Sequence, residues 1–332
     1  MSVIILRIFS KERGKILAKV LIAGAAGFIG SHLCDRFLKD GFSVIGLDNF
    51  VTGTPDKIDR FSKSPNFSFI KCDITKYEFF LDKIDIILNF ASPASPVSYM
   101  NFPVQTLLAN SVGTFKTLDV AKANKARYIL ASTSEIYGDP LVTPQNEGYW
   151  GNVNSIGPRS VYDEGKRFSE AVAMAYYRKY VLDVRILRIF NTYGPGMRSD
   201  DGRVIPNFIM QALKGENLTV YGDGNQTRSF CYIDDIVEGI FRVSLKEGIG
   251  EEVLNLGNQE EYKIIDLAKT IIEKTGSKSV IVFAPLSEDD PKKRCPDITK
   301  AKTMLGWEPC IDLEKGLENT IEFFKAKINY GK

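Results

Sequence analysis

The segment Gly24-Ala25-Ala26-Gly27-Phe28-Ile29-Gly30 follows a short apolar run, 16–23 (ILAKVLIA), and opens a helix-like stretch. No other feature constrains the fold as strongly. Glycines between a strand and a helix let backbone approach a pyrophosphate, and the helix N-terminus offers unpaired N–H groups and positive potential. The run itself is partly β-branched, as in a buried parallel strand. Asp48 ends the next apolar run, twenty-one residues past Gly27. A carboxylate there accepts hydrogen bonds from an adenosine ribose and repels a 2′-phosphate, so NAD is expected rather than NADP. The expected cofactor set is Gly24, Gly27, Phe28, Ile29 and Gly30, with Asp48 and Asn49 after the second strand and Asp73 after the third.

The strand signal recurs at 42–47 (FSVIGL), 67–70 (FSFI), 84–90 (IDIILNF), 127–131 (RYILA) and 184–189 (VRILRI), with helical-length segments between. Alternating strands and helices predict an α/β chain, a Rossmann-type doubly wound parallel sheet. Within 104–122, Val104, Leu108, Val112, Phe115 and Leu118 fall near one helical stripe, and Pro103 suits the first turn. After Asn191 the Gly, Pro and Asp-rich 191–203 (NTYGPGMRSDDGR) marks a long loop. Helices are expected at 204–213 and 264–274, and strands at 218–221 and 280–283. The resulting division is an N-terminal extension (1–15), a cofactor domain (16–190, with a return segment near 230–258) and a smaller C-terminal α/β substrate lobe (191–229 and 259–328).

Composition narrows the function. The chain has 332 residues, 44% hydrophobic and 25% charged, which excludes disordered, collagenous and coiled-coil classes. Lys and Arg number 43 against 41 Asp and Glu, and no block of like charge appears, so neither nucleic acid nor an anionic membrane is an expected partner. The five cysteines are scattered and form no CxxC pair, which suggests cytosolic thiols rather than a disulfide framework or zinc site. The apolar run 2–9 is too short to span a bilayer and carries Arg7, and no small-residue cleavage site follows, so a cytoplasmic protein is expected. His32, the one histidine, reads as structural, and no metal site is expected.

Tyr162 and Lys166 stand at i and i+4, on one face of a helix. A nearby cation stabilises a phenolate and brings the tyrosine toward a usable base. Alone, such a pair is two surface side chains; behind this fingerprint it is a dehydrogenase base motif. Thr133, at the end of an apolar strand where open α/β sheets place ligands, is positioned to hydrogen-bond a sugar hydroxyl.

The chain resembles the nucleotide-sugar branch of the extended short-chain dehydrogenases, most closely members that decarboxylate UDP-glucuronate. The resemblance runs from about Lys19 to Trp307 and includes ASPASPVSYM (91–100), ASTSEIYGDP (131–140), IGPRSVYDEGKR (156–167), RIFNTYGPGM (188–197), DDGRVIPNFIMQALKG (200–215), LTVYGDGNQTRSFCYIDD (218–235) and DDPKKRCPDI (289–298). It departs from the usual Thr-Gly-Gly-Ala-Gly opening at 23–27, and Asn89 stands where a histidine often precedes the ASP segment.

That resemblance implies NAD as cofactor, a UDP-sugar as substrate, and Tyr162, Lys166, Thr133 and Glu135 as catalytic residues. Ser134 occupies the position where 4,6-dehydratases of dTDP-glucose carry an acid, so loss of water is disfavoured. Ser134, Asn191, Tyr221, Arg228 and Arg294 are implied to bind the nucleotide sugar; Arg294 meets either the diphosphate or the sugar carboxylate. Helices containing 104–122 and 159–180 are implied to pair two subunits in a homodimer. A dehydratase, a 4-epimerase and a non-catalytic NAD-sensing protein are the alternatives.

Overall fold

A computed structural model describes residues 18–76, 81, 83–285 and 293–330. The expected extension 1–15, and 16–17 of the first predicted strand, lie outside them. Seven parallel strands form the main sheet: β1 (Lys19–Ala23), β2 (Ser43–Asp48), β3 (Phe67–Lys71), β4 (Ile86–Asn89), β5 (Arg127–Thr133), β6 (Val184–Ile189) and β7 (Val253–Leu256). Their spatial order is β3-β2-β1-β4-β5-β6-β7, so chain direction across the sheet reverses between β1 and β4. In an open sheet of this kind, ligands bind beyond the carboxyl ends of the strands at that reversal. The turn after β1 carries the glycines.

The two-residue period of β1 divides it between two cores. Val20 and Ile22 pack with Leu33 and Phe37 of helix α1 (Phe28–Lys39) and with Phe241 on one face. Leu21 and Ala23 pack with Leu118 and Val172 on the other. Central strand β5 is buried along nearly its whole length, which is why it reads in the sequence as an unbroken apolar run.

The predicted helix over 104–122 is two helices, α2 (Pro103–Asn110) and α3 (Val112–Asn124), broken at Ser111, whose φ and ψ are −105° and −83°. The expected stripe is likewise divided. Leu118 is buried, whereas Val104, Leu108 and Phe115 are exposed. Pro103 does stand in the first turn of α2. Helix α4 (Ser160–Tyr180) lies against β5 and carries Tyr162 and Lys166. β7 had no separate signal in the sequence reading; it adds to the edge of β6 with Val253 opposite Ile186.

Past β6, helices Val204–Lys214 and Ile264–Thr275 surround short strand pairs. Leu218–Tyr221 pairs in parallel with Ile281–Ala284, and Thr227–Ser229 pairs antiparallel with Glu261–Lys263. Among the described residues, no helix is long and apolar enough to cross a membrane.

Candidate active site

The glycine turn is closed by its own backbone. Gly24, with φ +83°, would place a Cβ 2.6 Å from the Phe90 carbonyl oxygen, and a Cβ on Gly30 would stand 2.0 Å from the Gly24 oxygen. Both positions therefore require glycine. No side chain caps α1 at Gly27, so its first amides are free of a side-chain acceptor. These features fit a dinucleotide: a cradle that a Cβ would fill, at a helix N-terminus suited to phosphate.

Asp48 secures this turn from β2. Its carboxylate accepts the Ala26 amide at 2.9 Å and the Phe50 amide at 2.8 Å. Burial raises its pKa, opposed by those amides. Asn49 is exposed and accepts the Val51 amide at 3.1 Å, while Asp73 accepts both the amide and the hydroxyl of Thr75. Asp48, Asn49 and Asp73 stand outside the lining of the cavity described next.

A cavity of about 950 Å³ opens at the carboxyl ends of the strands. Gly24, Gly27, Phe28, Ile29 and Gly30 line it together with Thr133, Ser134, Glu135, Tyr162 and Lys166, and with Asn191, Tyr221, Arg228 and Arg294. Segments more than 260 residues apart in sequence are thus brought to one space.

At the centre, Tyr162 is buried and stacks on Tyr99 of the short helix Pro96–Asn101, with ring centroids 5.1 Å apart and planes 6° from parallel. The Thr133 hydroxyl accepts the Glu135 amide at 3.2 Å, and Thr133 lines the cavity together with Tyr162. Lys166 is buried and donates to the Ala131 carbonyl at 2.8 Å, its Nζ lying 5.8 Å from the Tyr162 ring centre. The sequence reading has Lys166 drawing the tyrosine pKa down. In the structure burial dominates and pushes Tyr162 up to about 12, with Arg203 and Thr133 pulling the other way. Burial also lowers Lys166 to about 8, with Glu170 opposing. Both groups are dry, so each is sensitive to whatever charge enters the cavity.

Next to them is a charged wall. Glu135 pairs with Arg159 at 2.6 Å and with Arg294. Burial works against its charge, but the guanidiniums of Arg294 and Arg159 outweigh it and hold the carboxyl well below its usual range. Arg294 also donates to the Gly138 carbonyl at 3.0 Å and to Ser134 Oγ at 3.4 Å. Three buried polar atoms without a hydrogen-bond partner gather here: Tyr99 Oη, Asp163 Oδ1 and Arg294 Nε. Buried orphans of this kind mark places where a ligand or water completes the bonding.

Arg228 is buried on Thr227–Ser229 and donates to the Thr227 carbonyl; Tyr221 is 48% exposed at the cavity. His32 Nε2 lies 2.8 Å from the Pro195 carbonyl oxygen, tying α1 to the loop after β6, and burial lowers its pKa. Asn89 is buried and donates to Tyr128 Oη at 2.8 Å. The sequence reading passed over Arg159, Asp163 and Tyr99. Arg159 carried a signal, because it stands three residues before Tyr162 on the same helical face.

The arrangement sets a buried phenol and a buried ammonium against a wall of Glu135, Arg159 and Arg294, beside a glycine turn that fits a dinucleotide. Comparison with known proteins agrees. Residues 20–257 match the NAD dependent epimerase/dehydratase family. UDP-glucuronic acid decarboxylase 2 of Arabidopsis thaliana is 50% identical over 310 residues, 93% of this chain and 69% of that protein. UDP-glucuronic acid decarboxylase 1 of Danio rerio is 48% identical over 312 residues, 94% of this chain and 74% of that protein. The crystal structure of UDP-glucuronic acid 4-epimerase from Bacillus cereus, in complex with UDP-glucuronic acid and NAD, superposes with a TM-score of 0.85 at 31% identity, covering 93% of this chain and 99% of that one.

Proposed function

The chain belongs to the NAD-dependent epimerase/dehydratase family, and we propose that it converts UDP-glucuronate to UDP-xylose with loss of CO2. The wall of Ser134, Glu135 and Arg294 beside Tyr162 carries this reading. It presents guanidinium charge to a sugar carboxylate and no acid at position 134 to expel a 6-hydroxyl.

NAD, when bound, supplies the acceptor and later the donor of the C4 hydride, so no net redox occurs. Tyr162 Oη, as the phenolate favoured by the Lys166 ammonium, takes the proton of the C4 hydroxyl, and Thr133 orients that hydroxyl. The 4-ketone lies β to the carboxylate. On loss of CO2 the bonding pair moves into an enolate, whose oxygen receives hydrogen bonds from Tyr162 and Thr133. Glu135 holds a water for protonation at C5. Arg228, Asn191 and Tyr221 hold the nucleotide diphosphate end, and Asp48, Asn49 and Asp73 serve the adenosine end of the cofactor.

Within this reading, 16–190 with a return near 230–258 is the cofactor domain, and 191–229 with 259–328 is the substrate lobe. The protein works in the cytoplasm as a homodimer. Free cysteines throughout the described residues support a reducing compartment, and the exposed apolar side chains of α2, α3 and α4 support pairing.

The test is incubation of the purified protein with NAD⁺ and UDP-glucuronate, then with dTDP-glucose, followed by mass and proton NMR. UDP-xylose with release of CO2 is expected. A product of unchanged mass would make the protein an epimerase, and loss of water from dTDP-glucose alone would make it a dehydratase.

A further inference from the structure

The glycine turn offers backbone amides to a pyrophosphate but no cation. Residues 24–30 hold neither lysine nor arginine, and Asp48, which accepts the Ala26 amide, sets a carboxylate beside them. A pyrophosphate adds negative charge in a partly dry cleft, where charges are paired. Several cations line the cavity, and all but one are engaged: Arg159 and Arg294 with Glu135, Arg198 with Asp200, Arg203 with Asp201, and Lys166 and Arg228 with the Ala131 and Thr227 carbonyls. The exception is Lys57, on the short helix Asp56–Asp59, which lines the cavity together with Gly27, Phe28 and Ile29. Among the described residues its side chain makes neither an ion pair nor a hydrogen bond.

Backbone contacts fasten this segment to the turn. The Thr54 amide donates to the Ala26 carbonyl at 3.2 Å, and a Cβ on Gly53 would stand 2.9 Å from the same oxygen. From the loop after β6, Arg198 donates to the Thr52 carbonyl at 3.3 Å. Burial lowers the Lys57 pKa, Lys327 and Arg198 add to the fall, and Asp56 and Asp201 oppose it, so the ammonium lacks part of its hydration and has no bonded counter-ion. Its charge in turn opposes the rise that burial imposes on Asp48. Lys57 is therefore within electrostatic reach of the carboxylate at the adenosine end and borders the cavity at the first turn of α1. We propose that Lys57 pairs with the pyrophosphate of NAD, supplying the positive charge that the glycine turn lacks. This role is independent of which nucleotide sugar is converted.

The test measures, by calorimetry, the Kd of wild type, Lys57→Met and Lys57→Arg for NAD⁺, ADP, adenosine and UDP. Methionine keeps the apolar stem and removes the charge, and because the side chain bonds to nothing in the described chain, circular dichroism should match wild type. Loss of a hydrogen bond to a charged group weakens NAD⁺ and ADP about tenfold in Lys57→Met. Adenosine, which has no phosphate, and UDP, which belongs to the substrate side, stay within about twofold, since neither brings charge to Lys57. Lys57→Arg keeps the charge and binds ADP more tightly than Lys57→Met. Lys327→Met controls for the field of the rim, because Lys327 acts on Lys57 but stands outside the cavity lining; it should leave ADP within about twofold, an exposed charge being screened by salt. Adenosine weakened as much as ADP would mean that Lys57 shapes the turn or holds the nucleoside, and overturns the proposal. Unchanged ADP affinity in Lys57→Met overturns it too, as does a loss for UDP equal to that for ADP. Equal ADP affinity in the methionine and arginine variants, or an equal loss in Lys327→Met, removes the direct pairing with phosphate.

Discussion

Lys166 donates to the carbonyl of Ala131 at 2.8 Å, two residues before Thr133 on β5. The helix that carries Tyr162 is thereby fixed to the strand whose last residue, Thr133, lines the same cavity as that tyrosine. The bond satisfies one of the three donors of an ammonium that is almost wholly removed from water. Function therefore places a charge where folding disfavours one.

Replacing Lys166 by Met should stabilise the protein while abolishing turnover. Burial lowers the lysine from 10.5 to about 8, so between those values the unfolded chain binds the proton and the folded one does not. Stability then rises with pH across that window, and the full penalty applies below it. At about 1.4 kcal/mol per pH unit the gain in Lys166→Met is about 3 kcal/mol at neutral pH, shrinking toward pH 10. Urea unfolding at a series of pH values measures it. A variant less stable than wild type at pH 7 would show that the Ala131 bond outweighs the desolvation.

Gly30→Ala should weaken NAD binding by more than about tenfold, since the added carbon meets the Gly24 carbonyl at 2.0 Å and the turn must open. Gly27→Ala has a 3.1 Å approach to the same oxygen and should lose less. Titration of both variants with NAD ranks them, and the reverse order would mean that the close approach at Gly30 is not what shapes the cradle.

The sheet was legible because parallel strands covered on both faces read as continuous apolar runs, and β5 is the clear case. The break at Ser111 was not, because Leu108 and Val112 keep helical spacing across it, and exposure on a face is invisible to periodicity. The site divides in the same way. Tyr162 and Lys166 share one helix, so their spacing is a local signal. The wall is tertiary: Glu135, Arg159 and Arg294 meet only because the C-terminal segment returns to β5, and an arginine or an aspartate on a helix otherwise reads as a solvated charge. Asp48 was legible by position, but its bonds to the Ala26 and Phe50 amides follow from how the glycine turn folds back over β2.

Glu135→Gln should lower kcat by about a hundredfold, the scale of a lost proton-handling group. KM for UDP-glucuronate should stay level or fall, because the glutamine removes a negative charge from between Arg159 and Arg294. Such a split assigns the residue to the transition state rather than to substrate binding. Steady-state kinetics on the variant decide it. Unchanged turnover with unchanged product would remove Glu135 from the mechanism.

Assembly is the remaining consequence of the exposed apolar face. Val104 is 62% exposed, Phe115 42% and Phe168 45%, and Leu108 stands at 41% on the helix before Phe115. Phe115 and Phe168 meet edge-on at 6.1 Å, joining the faces of α3 and α4. Exposed apolar surface of this kind is costly in water, and in the homodimer proposed above a second copy would cover it. Leu108→Glu combined with Phe115→Glu places two carboxylates in that contact, where each would lose its hydration. Because both side chains are exposed in the single chain, the variant should fold with wild-type circular dichroism and sediment as a monomer, while wild type sediments as a dimer. A wild-type protein that is monomeric at micromolar concentration, or a variant that still dimerises, would place the subunit contact elsewhere or remove it.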